Sequence, residues 1–269
     1  MRIRLTLQPR DQLCVIPINY QYPLSAAIYK ILSQASPEYA AFLHERGYAS
    51  PAGKPMKLFT FSRLWCPAVR QVENTLRITN RRLCFLQISS PMLEDFVQHF
   101  VIGLFQEQQL EIAGPHAVGK FLITQVETLA PPEFEPEMQF RCLSPMVVSL
   151  MHEHLGARKI HYLRPGDDQL STAIAQNLRQ KYEIVHHRSA ADLALDFEPD
   201  PHYIAQRLQQ GKRVTKKITI KEGAEEATDI ISFEVPFSLK GNPELMEMAY
   251  ECGIGEKNSM GFGMIERVI

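Results

Sequence analysis

Between residues 2 and 9, Ile3, Leu5 and Leu7 alternate with Arg2, Arg4 and Thr6, the period of a half-buried strand. Past Val15 to Asn19 the period lengthens: from Tyr22-Pro23 onward, Leu24, Ile28, Ile31 and Leu32 recur at helical spacing. Ser36 caps and Pro37 opens a second short helix through Tyr39, Phe42 and Leu43, which stops before Gly47. Strand patterns follow at 57–64 (KLFTFSRL), 75–79 and 83–89, with a turn at Asn80. Ser90-Pro91 opens a helix carrying Phe96, Phe100, Val101 and Leu104, and 110–129 returns as strand, broken at Gly114-Pro115. The order β-α-β-β-α-β is that of a ferredoxin-like unit.

Pro131, Pro132 and Pro136, set among glutamates, mark a linker and divide the chain into domains 1–130 and 131–269. The second half repeats the logic. Strands are expected at 139–148, 159–163, 193–197, 214–221 and 230–239, and a helix at 167–182 with Leu170, Ile174 and Leu178 on one face. Asn242-Pro243 caps a last helix through Leu245, Met248, Ala249 and Cys252, and 263–268 closes the sheet. The pattern predicts an α+β chain of two tandem ferredoxin-like domains.

A length of 269 residues accommodates two such domains, and 45% apolar with 22% charged residues is ordinary for a soluble protein. The opening alternation is not that of a signal peptide, and no apolar run approaches the ~20 residues of a membrane span. Cysteines 14, 66, 84, 142 and 252 include no C-x-x-C pair, which predicts a reduced cytoplasmic setting and no zinc knuckle. His152 with His154, and His186 with His187, lack the spacing of a helical metal face, so no metal or other cofactor is expected. The net charge of −1 hides a split. Residues 1–130 carry 13 Lys and Arg against 9 Asp and Glu, and the remainder 16 against 21, so a local basic surface is permitted.

Chemistry concentrates in one stretch near the end. Gly253-Ile254-Gly255 and Gly261-Phe262-Gly263 enclose Glu256, Lys257, Asn258, Ser259 and Met260. Glycines at this density suit close approach of backbone N–H groups to an anion such as a phosphate backbone, with Lys257 in the middle. Dinucleotide binding would need a glycine at position 258 and a following helix, and a mononucleotide loop would need Gly-x4-Gly-Lys-Ser/Thr; neither is present.

With these clamps, the chain resembles the CRISPR-associated repeat-cleaving endoribonucleases, the Cas-six family, over nearly its whole length. Tyr22-Pro23-Leu24 before Tyr29, Phe42-Leu43-His44-Glu45, Lys57-Leu58-Phe59-Thr60-Phe61-Ser62 and Leu143-Ser144-Pro145-Met146 complete the ordered set. The resemblance implies a metal-independent cut of CRISPR repeat RNA by its own 2′-hydroxyl. It places the catalytic histidine at His44, the tyrosine at Tyr29 and the lysine at Lys57, with Lys54 a close alternative. A histidine can carry either proton transfer near neutral pH, a tyrosine can supply a proton, and a lysine stabilises charge. Read without the resemblance, His44 fits the last turn of a helix, Tyr29 a half-buried packing position and Lys57 a solvated strand opener.

The glycine stretch then becomes the RNA-holding element through Gly253, Gly255, Lys257, Asn258, Ser259, Gly261 and Gly263. Lys212, Arg213, Lys216, Lys217 and Lys221 form either a solvated hairpin or a second phosphate-gripping edge. The expected partner is CRISPR repeat RNA, the precursor of the guide, with other effector-complex subunits and a homodimer as further candidates. Two alternatives stay open: a catalytically inactive RNA-binding subunit, and a regulatory domain pair with no RNA partner.

Overall fold

The computed structural model describes residues 1–49, 55–79, 81–154 and 157–268. The expected turn at Asn80 and the alternative lysine at position 54 lie outside the described residues. In the first half, β1 (Arg2–Pro9) and β2 (Leu13–Pro17) precede α1 (Gln21–Ala35) and α2 (Pro37–Glu45). The Ser36 side chain accepts the Tyr39 N–H at 3.2 Å, and Pro37 sits where a helix needs no N–H. Next come β3 (Thr60–Phe61), β4 (Val69–Val72), β5 (Thr75–Thr79), β6 (Cys84–Ser89), a π-helical turn at Leu93–Val97, α3 (Gln98–Glu107), β7 (Gln109–Gly114) and β8 (Ala117–Leu129).

The main antiparallel sheet runs β3-β6-β1-β8-β7, so the first strand lies between the third and fourth strands of the ferredoxin-like unit, with β7 added outside. Only Thr60–Phe61 of the expected strand 57–64 pairs in this sheet, with Ile88 and Ser89. Leu58 adopts a left-handed φ of 51°, which breaks the strand and turns its side chain away from the first core.

The second half contains β9 (Glu137–Cys142), β10 (Ser149–His154), β11 (Ala157–Tyr162), α4 (Leu170–His186), β12 (Leu195–Pro199) and α5 (Pro201–Gln209). It ends with β13 (Thr215–Ile220), β14 (Thr228–Phe233), β15 (Phe237–Gly241), α6 (Pro243–Cys252) and β16 (Ile265–Arg267). Its sheet, β12-β15-β9-β16, repeats the ferredoxin-like order. Two expectations are corrected here and one helix is added. The strand at 139–148 stops at Cys142, the run 230–239 is two strands interrupted before Phe237, and α5 was not legible. Hairpins β10/β11 and β13/β14 stand outside the main sheet.

Each half has its own apolar core, and a small third cluster joins Ile218, Ile220 and Ile230 of the β13/β14 hairpin to Phe262, with Tyr22 of α1 against it. The halves are stitched together. Leu58 packs in the second core while its neighbours Phe59 and Phe61 pack in the first. Arg2, almost fully buried, stacks its guanidinium 3.5 Å over the Tyr250 ring and donates to the Tyr250 carbonyl at 2.6 Å. No helix among the described residues is long and apolar enough to cross a membrane.

Candidate functional site

The glycine stretch begins where α6 ends. All four glycines are buried and all have positive φ, from 72° at Gly255 to 83° at Gly261. Their lack of a side chain serves packing. A Cβ on Gly261 would lie 2.5 Å from the Phe61 ring, one on Gly255 2.2 Å from the Val147 carbonyl, and one on Gly263 2.0 Å from the Ile254 carbonyl. A Cβ on Gly253 would meet the Asn258 amide at 2.8 Å. The N–H groups of Gly253, Gly261 and Gly263 donate to the carbonyls of Ala249, Asn258 and Pro145. The N–H groups of these three glycines are thus taken up within the protein, and all four glycines let the loop fold tightly against it.

Asn258 is likewise a strut. Its Nδ2 donates to the carbonyls of Ile254 and Phe262, and its Oδ1 accepts from Lys181 Nζ at 2.8 Å. Lys181 is buried and also donates to the carbonyls of Gly253 (2.6 Å) and Gly255 (3.0 Å), so its three N–H groups meet three acceptors. Burial pulls its pKa down to about 8, opposed by Cys252 and Glu256. Sequence reasoning passed over this residue, although a lysine three positions beyond Leu178 on the apolar stripe of α4 was a visible signal. The motif residues on other elements fasten the same loop: Ser144 Oγ accepts from the Met264 N–H, and Thr60 Oγ1 donates to the Phe262 carbonyl at 3.0 Å.

The loop apex rests on α1. Ser25 Oγ donates to the Ser259 carbonyl at 2.6 Å, and the next turn of the helix brings Tyr29 beside Ser259. The Tyr29 ring meets the His44 ring edge-on, with centroids 5.5 Å apart, and also packs on Phe59. Burial pushes the Tyr29 hydroxyl up to about 12, a side-chain hydrogen bond with Ser259 working in the opposite direction. His44 itself is exposed at the end of α2. Lys57 reaches across to the same helix end, where its Nζ donates to the His44 carbonyl at 2.8 Å, and desolvation lowers its pKa. The three residues proposed for chemistry thus meet, and they meet where Lys257 and Ser259 of the glycine stretch face a shared cleft with Lys57.

Two tethers shape this corner. Gly47, at φ 69°, lets the chain turn directly under Lys57, where a Cβ would lie 3.0 Å from the lysine Cδ. Tyr48 then pairs with Met56 by backbone bonds in both directions, and its hydroxyl donates to Asp95 at 3.0 Å.

The basic run is less cationic than it reads. Lys216 pairs with Glu234 at 2.8 Å and Lys217 with Asp229 at 2.9 Å, whereas the Lys212 and Arg213 residues are simply exposed.

Known proteins resemble the chain over both of its halves. The family model described as CRISPR-associated protein Cas6, N-terminal, matches residues 15–127, and CRISPR associated protein Cas6, C-terminal, matches residues 129–267. The chain is 31% identical, over its whole length and 93% of the relative, to "CRISPR-associated endoribonuclease Cas6 1" of Methanocaldococcus jannaschii. It is 24% identical to "CRISPR-associated endoribonuclease Cas6" of Pyrococcus furiosus, covering 98% of this chain and 88% of the relative. A solved structure described as "CRISPR associated protein Cas6" superposes with a TM-score of 0.74 at 29% identity, covering 100% of this chain and 99% of that one. With both halves matched and the full length aligned, the chain belongs to the Cas6 family of CRISPR-associated proteins.

Proposed function

We propose that the protein is a metal-independent endoribonuclease that cuts CRISPR repeat RNA in its precursor. The observation that carries the reading is the convergence of His44, Tyr29 and Lys57 at one corner, with the glycine loop docked against it. His44 takes the proton from the 2′-hydroxyl, whose oxygen attacks the adjacent phosphorus. As that bond forms, the bond from phosphorus to the 5′-oxygen breaks, and Tyr29, which keeps its proton at neutral pH, donates to the departing oxygen. The Lys57 ammonium, held at the same corner, stabilises charge on the developing phosphorane. The products are a 2′,3′-cyclic phosphate and a 5′-hydroxyl. Residues 1–130 supply these groups, and residues 131–269 supply the loop that seats the RNA, with Lys257 and Ser259 facing the cleft, and the exposed Lys212 and Arg213 as further phosphate contacts. The cytoplasm is the compartment in which precursor RNA and five free thiols would both be found.

Both the M. jannaschii and the P. furiosus relative are named endoribonucleases, which supports the enzyme over a subunit that only holds RNA. The test is incubation of the protein in EDTA with repeat RNA and with the same RNA carrying a 2′-deoxy substitution at the scissile nucleotide. Only the first should be cut, and His44→Ala should bind the RNA without cutting it. Cleavage that needs added metal, or that survives loss of His44, would overturn the scheme.

A further inference from the structure

The basic excess of the first half has a location. Of its 13 Lys and Arg residues, Arg10, Arg70, Arg77, Arg81 and Arg82 lie on or beside the small antiparallel sheet β2-β5-β4, and all are exposed. Other cations of this half are already paired: Arg4 with Glu127, Lys30 with Glu107, Arg63 with Glu234 and Lys120 with Glu111. None of the five arginines forms an ion pair among the described residues, although Asp11 and Glu73 lie in the adjoining turns. Arg10 reaches the Gln109 amide at 3.2 Å and Arg81 the Arg10 carbonyl at 2.6 Å. In the register of β4 and β5, Arg70 stands directly opposite Arg77, so both side chains leave the same face of the sheet. The other face, with Cys14, Ile16 and Ile78, is buried in the first core. Like charges directly opposite each other across a strand pair are destabilising, and a bound anion removes the repulsion. All five are arginines, whose planar fork takes two phosphate oxygens at once. The sheet meets the start of α1, where the Ile18 N–H donates to the Asn74 carbonyl, whereas Tyr29 stands about 12 Å further along that helix. The arginine face is therefore separate from the corner where the RNA would be cut.

We propose that the outer face of β2-β5-β4 is a second RNA contact: a phosphate track that holds a stretch of the precursor several nucleotides away from the scissile bond. Arg70 and Arg77 form its centre, and Arg10, Arg81 and Arg82 extend it at the end where β5 leaves the sheet. The guanidinium groups pair with phosphate oxygens and release counterions, so the track gives affinity and register without reading bases. The inference rests on the nuclease reading for the identity of the polyanion, but it is testable by binding alone.

The experiment uses the full-length protein, with His44→Ala as the background for equilibrium binding. The RNAs are a repeat with its flanking sequence and versions shortened stepwise from either end toward the cut. Arg70→Gln combined with Arg77→Gln changes two exposed side chains, so the fold should be kept, as circular dichroism and thermal unfolding would verify. The double variant should bind the longest RNA about 10-fold more weakly at about 0.1 M salt. Its slope of log affinity against log salt should fall by about 1.4, the share of two phosphate contacts on a single strand. Shortening the RNA from one end should cost the parent a similar loss and abolish the difference between parent and variant. The shortest RNA that the parent still cuts should be cut by the double variant, with His44 restored, at the parent rate. Unchanged affinity and slope on the longest RNA would overturn the track and leave the face to a carboxylate-rich partner or to solvent. Equal weakening on the shortest RNA would overturn its separation from the cut. Absence of cleavage in every RNA would instead overturn the nuclease reading, and the binding series would then decide the track alone.

Discussion

Tyr29 shows how burial assigns a role that residue type leaves open. A hydroxyl pushed up to about 12 holds its proton at every pH where the protein would work, so in the proposed cleavage it is suited to donate a proton and not to take one. Tyr29→Phe should lower the single-turnover rate by roughly 100-fold or more, the ordinary range for a lost proton donor. The shape of the pH–rate profile between pH 6 and 10 should stay the same, because Tyr29 does not titrate there; an alkaline limb that moves in the variant would contradict the assignment. Lys181 carries the opposite lesson, a charge buried for structure. Lys181→Met should destabilise the protein by roughly 2–4 kcal/mol in a denaturant titration, since buried carbonyls lose their donors. Its folded pKa of about 8 lies below the ordinary value of 10.5, so between these values the unfolded chain binds more protons than the folded one. Lysine ionisation therefore contributes stability that is fully present above pH 10.5 and lost as pH falls to 8. The stability gap between the parent and Lys181→Met should widen as pH rises through that window.

Among the elements, the glycine loop and the β13/β14 hairpin were both expected to hold RNA, and the structure treats them differently. The loop is a packed joint: Gly261 combines a φ of 83° with a Phe61 ring where its Cβ would be. Gly261→Val should cost about 2–5 kcal/mol of stability through backbone strain and overpacking, measured by urea unfolding. Weak RNA binding with unchanged stability would restore the backbone N–H groups to a direct role. On the hairpin, Lys216 and Lys217 already have acidic partners, so Lys212 and Arg213 are the stronger candidates for phosphate contacts. Replacing both by alanine should reduce the slope of log affinity against log salt by about two, and replacing Lys216 and Lys217 should reduce it by less.

At the scale of the whole molecule, the two sheets are not independent beads. Leu58 in the far core, Thr60 on the Phe262 carbonyl, Ser25 on the Ser259 carbonyl and Arg2 on Tyr250 cross between the halves. Unfolding either half alone would expose these groups, so the chain should open as one cooperative unit. The slowest-exchanging amides of β1 and β15 should then report opening free energies within about 1 kcal/mol of each other in native-state hydrogen exchange. A gap of several kcal/mol would show that the halves unfold separately.

Local information reached a long way into this protein. The alternation of Ile3, Leu5 and Leu7, the helical spacing of Leu24, Ile28 and Ile31, the Ser36 and Asn242 caps and the two ferredoxin-like orders depend on neighbours within a few residues, and all appear in the structure. The candidate groups Tyr29, His44 and Lys57 were also legible, through their order and the family they resemble. Their meeting was not, nor was the work of the glycines, because the atoms that decide it come from distant positions: Phe61 against Gly261, Val147 against Gly255, Lys181 against Asn258. Periodicity records which side of an element is buried, whereas only the packed chain determines what it is buried against, and so whether a glycine faces a ligand or its own backbone.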